Sequence, residues 1–262
     1  MTGTVHTLTH PSGSLDLTVD DQGRGRTYLL LHGGGGPQTV APFARLLAEQ
    51  RHARVITPVH PGFGGTHHPD WLTDVTTLAE SYALLLDELD LTGVTVVGNS
   101  IGGWIAAELA LLGSDRISAA ALVNAVGIHV PGHPITDTFA LTPAELSKLA
   151  FHDPATFAVD PTTLPEAARA VMAGNRAALE VYAGPHVMAD PTLRGRLAAV
   201  AVPALVVWGV ADQVVDADYG RAYAAAFPDG EFRLLPDTGH MPQIETPGQL
   251  LSAIADFAET RR

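Results

Sequence analysis

The segment Val94-Thr95-Val96-Val97-Gly98-Asn99-Ser100-Ile101-Gly102-Gly103-Trp104 passes from apolar, β-branched residues through Gly-x-Ser-x-Gly into a helical pattern. A serine hydroxyl is a useful nucleophile only when it is held clear of the fold, beside a base and facing oxyanion donors. A tight turn from strand to helix does that holding. Glycines at 98 and 102 remove the Cβ atoms that would collide where strand and helix close on each other. The helix start adds free N–H groups and a partial positive charge. Ser100 is therefore the candidate nucleophile.

A serine needs a base, and the base needs a carboxylate to orient it. Of the 12 histidines, His240 is best placed, in Leu235-Pro236-Asp237-Thr238-Gly239-His240-Met241-Pro242 after the last apolar strand pattern. Glycine and proline there mark a loop at a strand's C-terminal end, where open α/β sheets put their ligands. Asp212, in Trp208-Gly209-Val210-Ala211-Asp212, follows the preceding strand in the same way. Asp216 and Asp237 are the alternative acids, but neither sits as well at a strand end. The order Ser100, Asp212, His240 is the chain order of one known architecture. For the oxyanion, Ile101 N–H follows the nucleophile directly. A second donor is expected from the glycine run after His32, with Gly34 favoured and Gly35 next. His32 itself reads as a structural hydrogen-bonding group. Phosphate binding by this run is disfavoured, since no Gly-Lys-Ser/Thr accompanies it and the spacing fits no dinucleotide fingerprint.

The elements that must position these residues alternate along the chain. Strand patterns occur at 14–19, 27–31, 54–58, 94–97, 119–126, 202–210 and 231–235, with a turn expected over 20–26. Helical patterns occur around Phe43, Leu46 and Leu47, and at 78–89, 101–112 and 249–260. Strands alternating with helices imply an α/β fold whose mostly parallel sheet is covered on both faces. The rhythm breaks between about 128 and 200, where prolines and short helical patterns (143–150, 164–173, 176–182, 193–199) replace strands. A stretch of that length exceeds an ordinary connection and reads as a helical insertion over the strand ends.

Composition limits the possible partners. A formal charge of −13 disfavours nucleic acid and anionic membranes, both of which need a basic footprint. The absence of cysteine excludes disulfides, thiolate catalysis and cysteine metal sites. No signal peptide or membrane-length apolar stretch is evident, so a cytoplasmic location is expected. His60, His67, His68 and Asp70 cluster in sequence, as do His129 and His133, but none has the spacing of a zinc helix. No metal or cofactor is expected, and the partner is a small-molecule substrate.

At these residues the chain resembles the α/β-hydrolase family. The likeness runs through His-Gly-Gly-Gly-Gly-Pro at 32–37, Pro-Gly-Phe-Gly-Gly at 61–65, Gly-Asn-Ser-Ile-Gly-Gly at 98–103, Trp-Gly-x-x-Asp at 208–212 and Gly-His at 239–240. It implies an α/β-hydrolase fold with an eight-stranded, mostly parallel sheet. It also implies a core domain of residues 1–128 and 201–262, and a helical lid of 129–200 between strands six and seven. The expected function is a serine hydrolase that cleaves a small-molecule ester through Ser100, His240 and Asp212. The glycine-rich loop and Gly-Asn-Ser elbow are also similar to hydrolases that cleave carbon–carbon bonds in meta-cleavage products. Those enzymes usually carry tryptophan after the histidine, where this chain has Met241. They also hold a substrate carboxylate with a lid arginine, and Arg169, Arg176, Arg194 and Arg196 lie in the right region. Perhydrolysis by the same three residues and a non-catalytic small-molecule receptor are the further alternatives. Phe139, Leu141, Phe151, Phe157, Val171, Met172 and Met188 are candidates for an apolar acyl pocket or for the lid's own core.

Overall fold

Apolar residues in the central strands alternate between two cores, one on each face of the sheet. The computed structural model describes residues 3–260. In chain order the first half contains β1 (Thr4–His10), β2 (Gly13–Gly23), β3 (Arg26–Leu31), α1 (Ala41–Arg51), β4 (Ala53–Pro58), α2 (Val75–Glu88), β5 (Val94–Asn99), α3 (Ile101–Leu111) and β6 (Ile117–Val123). Then come α4 (Pro143–Ala150), α5 (Pro154–Phe157), α6 (Glu166–Ala183) and α7 (Leu193–Arg196). The chain closes with β7 (Ala204–Gly209), α8 (Ala217–Ala224), β8 (Gly230–Leu235), α9 (Pro242–Glu245) and α10 (Pro247–Thr260).

The strands form one eight-stranded sheet in the order β1-β2-β4-β3-β5-β6-β7-β8. β1 and β2 pair antiparallel, as do β2 and β4, and every later pair is parallel. Leu29, Leu31, Val96, Val206 and Trp208 face the core shared with α2, α3 and α8. Tyr28, Leu30, Val97, Leu205 and Val207 face the opposite core, shared with α1 and α10. This period-two sorting gives a sheet buried on both faces. Its central parallel strands read as unbroken apolar runs for that reason.

Several boundaries differ from the sequence expectation. The turn expected over 20–26 shrinks, because β2 continues to Gly23 and pairs with β4 from Val19↔Pro58 to Gly23↔Arg54. Pairing with a buried neighbour outweighs the turn propensity of Asp20 and Asp21. β1 is an edge strand with several exposed positions and too weak an apolar pattern to be read directly. The separate helices expected at 164–173 and 176–182 are one helix, α6. Gly174 lies within it facing open space, so it costs helix propensity without breaking the helix. Among the described residues no helix is long and apolar enough to cross a membrane.

Candidate active site

The strand-to-helix turn between β5 and α3 holds Ser100 at φ 56° and ψ −119°. A non-glycine residue is rarely found there, and the surroundings must over-determine it. They do so with four backbone bonds. Ser100 N–H donates to Val123 O at 3.0 Å, and Ser100 O accepts from the N–H groups of Gly103 (2.9 Å), Trp104 (3.2 Å) and Val126 (3.3 Å). The glycines do what their spacing predicts. A Cβ at Gly98 would lie 2.0 Å from Gly102 O, and one at Gly102 would lie 2.4 Å from Leu31 O.

Asp212 and His240 meet at the ends of β7 and β8. His240 Nδ1 donates to Asp212 Oδ2 at 2.8 Å, which leaves Nε2 free to act as a base. Three further donors converge on the same carboxylate: Asn124 Nδ2 on Oδ2 (2.7 Å), with Val214 N–H (2.8 Å) and Val215 N–H (3.2 Å) on Oδ1. Ser100, Asp212 and His240 are 8%, 5% and 6% exposed. The alternative acids serve elsewhere. Asp216 accepts from His133 Nδ1 at 2.8 Å and caps α8 through Tyr219 N–H. Asp237 is exposed and lies 3.8 Å from His152.

Asn99 joins the nucleophile turn to the histidine loop. Its Nδ2 donates to His240 O at 3.0 Å and to Val123 O at 3.2 Å, and its Oδ1 accepts from Gln243 Nε2 at 3.1 Å. Sequence reasoning passed over Asn99, Asn124 and Gln243. For the two asparagines a signal was available: Asn99 sits inside the Gly-x-Ser-x-Gly run, and Asn124 is the first polar residue after an apolar strand.

The glycine-rich loop after β3 lies against the nucleophile, close enough that a Cβ at Gly33 would stand 3.2 Å from Ser100 Cβ. Gly36 N–H turns back to Gly33 O at 3.0 Å, and His32 Nδ1 donates to the same oxygen at 2.8 Å. The N–H groups of Gly34, Gly35 and Ile101 have no acceptor among the described residues. That of Ile101 belongs to the first turn of α3, where intrahelical partners are missing by geometry.

Beneath this loop the His32 and His60 rings pack with centroids 3.7 Å apart and planes tilted by 33°. His32 Nε2 accepts from His60 N–H at 3.1 Å, and His60 Nε2 donates to His32 O at 2.9 Å. Tyr82 O–H donates to His60 Nδ1. Burial lowers His32 to a pKa of about 4. Burial, and then the neighbouring His32, hold His60 well below the usual histidine range. Both rings are therefore neutral and structural, as read for His32. His68 donates to Leu72 O (2.7 Å), and among the described residues no three histidines or carboxylates gather closely enough to hold an ion.

The segment between β6 and β7 touches the site at two places. Near the end of α4, Leu149 O accepts from Gln213 N–H (3.0 Å) and Ala150 O accepts from His240 N–H (2.7 Å). α6 lies along the loops at 32–37 and 61–65. Of the four arginines considered, Arg196 forms a fork with Glu108 (2.8 and 2.6 Å) and reaches Asp190 (2.6 Å). Arg176 bonds to Phe139 O and lies 5.6 Å over the Phe139 ring, while Arg169 bonds to Leu164 O at 2.7 Å. Arg194 lines a surface groove with His129 and Pro131. Met188 belongs to the main core, and Phe151 stacks on Phe157.

The sequence pattern of the alpha/beta hydrolase family matches residues 28–253. A Mycobacterium tuberculosis protein provisionally named a non-heme bromoperoxidase is 29% identical over 260 residues, spanning 93% of this chain and 97% of its own. Among solved structures, an esterase from Thermogutta terrifontis aligns with a TM-score of 0.75 at 24% identity, covering 98% of both chains. A meta-cleavage product hydrolase from Pseudomonas fluorescens aligns with a TM-score of 0.79 at 20% identity, again over 98% of both chains. At such identities the two structural likenesses establish the fold.

Proposed function

The chain belongs to the alpha/beta hydrolase family, and from that premise we propose that it is a serine hydrolase acting on a small-molecule ester. The observation that carries the reading is the Asp212–His240 hydrogen bond at 2.8 Å, with the histidine loop tied through Asn99 to the turn that holds Ser100 at positive φ. In this reading His240 Nε2 takes the Ser100 Oγ proton as Oγ attacks the ester carbonyl. The N–H groups of Ile101 and Gly34, with Gly35 adjacent, donate to the oxyanion. Asp212 fixes the His240 tautomer and stabilises the imidazolium. His240 then returns the proton to the departing alcohol. Water, deprotonated by His240, attacks the acyl-enzyme, releasing the acid and restoring Ser100.

Residues 129–200 act as a helical lid in this account, over a core of 1–128 and 201–262. Its support is the direct bonding of the α4 end to the His240 loop. Carbon–carbon bond hydrolysis is the less favoured reading. A dienoate substrate needs a cation for its carboxylate; Arg169, Arg176 and Arg196 are each engaged with protein acceptors, and Arg194 lines a surface groove with His129 and Pro131. A neutral ester fits better.

A panel of p-nitrophenyl esters graded by acyl length, run beside Ser100→Ala, tests the proposal. Turnover of short or medium esters that vanishes in the variant is expected. Equal turnover by the variant would refute the mechanism. A folded wild type that neither turns over esters nor reacts with a fluorophosphonate would point to the receptor reading.

A further inference from the structure

One face of α6 lies across both glycine-rich loops. Asn175, Ala178, Leu179 and Tyr182 recur at the spacing that stacks side chains on one side of a helix. A Cβ at Gly34 would meet Leu179 Cδ2 at 2.6 Å, and one at Gly62 would meet Ala178 Cβ at 2.8 Å. Tyr182 O–H donates to Pro61 O at 3.1 Å. Asn175 does more than pack. It is 2% exposed. Its Nδ2 donates to Gly35 O at 3.0 Å, and its Oδ1 accepts from Gly64 N–H at 2.8 Å. The amide lies so close to Gly36 that a Cβ there would stand 2.3 Å from Nδ2.

The bond to Gly35 reaches the expected oxyanion donor through two planar peptides. Gly35 O and Gly36 N–H belong to one peptide unit, so holding the oxygen fixes the direction of the N–H. Gly36 N–H donates to Gly33 O at 3.0 Å. Gly33 O shares its peptide with Gly34 N–H, and in a trans peptide the two point in opposite directions. Asn175 thus bears on the aim of Gly34 N–H without touching it. His32 holds Gly33 O as well, at 2.8 Å, but from the core side and independently of α6. A run of glycines offers little steric resistance to a peptide flip, so such tethers decide which way the N–H faces.

We propose that Asn175 is a positioning residue that locks the glycine-rich loop in its donor-competent arrangement, so that its own bond to Gly35 O governs stabilisation of the oxyanion. The proposal rests on the serine-hydrolase reading above and assigns no contact between Asn175 and substrate.

The test compares wild type, N175D, N175A and Y182F on a short p-nitrophenyl ester at mildly alkaline pH. N175D keeps the side-chain shape and the acceptor for Gly64 N–H, but sets an oxygen against Gly35 O in place of a donor. Active sites are counted by end-point labelling with a fluorophosphonate, so misfolded protein does not enter the rate. N175D and N175A should each lose about 10- to 100-fold in kcat with KM within about threefold, a part of the about 10²- to 10³-fold cost of losing one oxyanion donor outright. Affinity for a boronic acid that forms a tetrahedral serine adduct should fall by the same factor as kcat/KM. Y182F removes a bond from the same helix face without reaching Gly35, and should keep kcat within about twofold. Wild-type kcat per labelled site in N175D and N175A would overturn the proposal, as would equal losses in all three variants. If N175D does not fold, N175A against Y182F decides the matter. A wild type that fails to label at Ser100 would instead overturn the parent reading, and this one with it.

Discussion

Acidification should weaken this protein through His32 and His60 before most of its carboxylates protonate. In each ring one nitrogen donates and the other accepts: Gly33 O and His60 N–H for His32, His32 O and Tyr82 O–H for His60. A second proton on either ring must displace a donor and place a charge in the core, beside another imidazole whose centroid is 3.7 Å away. The unfolded chain takes up that proton near pH 6.5, whereas folded His32 resists until about pH 4. Unfolding therefore binds protons across that window. The contribution to stability is complete above pH 6.5 and is lost as pH falls towards 4. At about 1.4 kcal/mol per pH unit, His32 alone accounts for about 3 kcal/mol. His60 adds to it with the same sign. Domains of this kind carry about 5–15 kcal/mol in all, so the loss is a large fraction. Urea unfolding followed by circular dichroism, from neutral pH down to about pH 5, should show the midpoint falling steadily with pH. Two imidazole resonances should stay in the neutral form across that range by NMR. Resonances of His32 and His60 that titrate near pH 6.5 would refute the reasoning.

Other perturbations have equally definite outcomes. Glu108 is buried in α3, and among the described residues its carboxylate is matched by Arg196 alone, whose own side chain is 38% exposed. Arg196→Met should cost about 2–3 kcal/mol in urea unfolding, and adding Glu108→Gln should restore most of it; a double variant no more stable than the single would contradict this. Asp212→Asn should keep the fold and lose about 10⁴-fold in kcat, while Asp216→Asn, which alters only the His133 contact and the α8 cap, should change turnover less than about threefold. The reverse ranking in steady-state ester kinetics would move the acid to Asp216.

The legible parts of this molecule were those written in local sequence. The strands β3 to β7 are short apolar runs bounded by glycine, proline and polar residues; Ser100 and Asp212 follow two of them, whereas His240 follows β8, which is more polar and less buried. Spacing singles out Ser100, Asp212 and His240 as candidates, and of these the structure brings Asp212 to His240, while Asp216 turns to His133. What was hidden depends on partners far along the chain. Asn99 earns its place by reaching His240 O, Asn124 by reaching Asp212, and Asn175 by bridging Gly35 and Gly64. Asn99 and Asn124 carry a local hint in the elbow motif and at a strand end, but Asn175 carries none. No asparagine shows by itself which distant partner it reaches, since the same residue type serves equally in turns and caps. β1 escaped notice for a related reason: its order comes from seven cross-strand pairs with β2 rather than from its own alternation. Gly174 misled in the other direction, because a glycine on an exposed helix face looks in sequence like a helix end.

The central claim is that Ser100 is an activated nucleophile, and labelling with a fluorophosphonate tests it most directly. Digestion and mass spectrometry of the treated protein should find one adduct, on Ser100. It should be absent from Ser100→Ala and form much more slowly in Asp212→Asn. No adduct on folded wild-type protein, or an adduct on a different serine, would contradict the account.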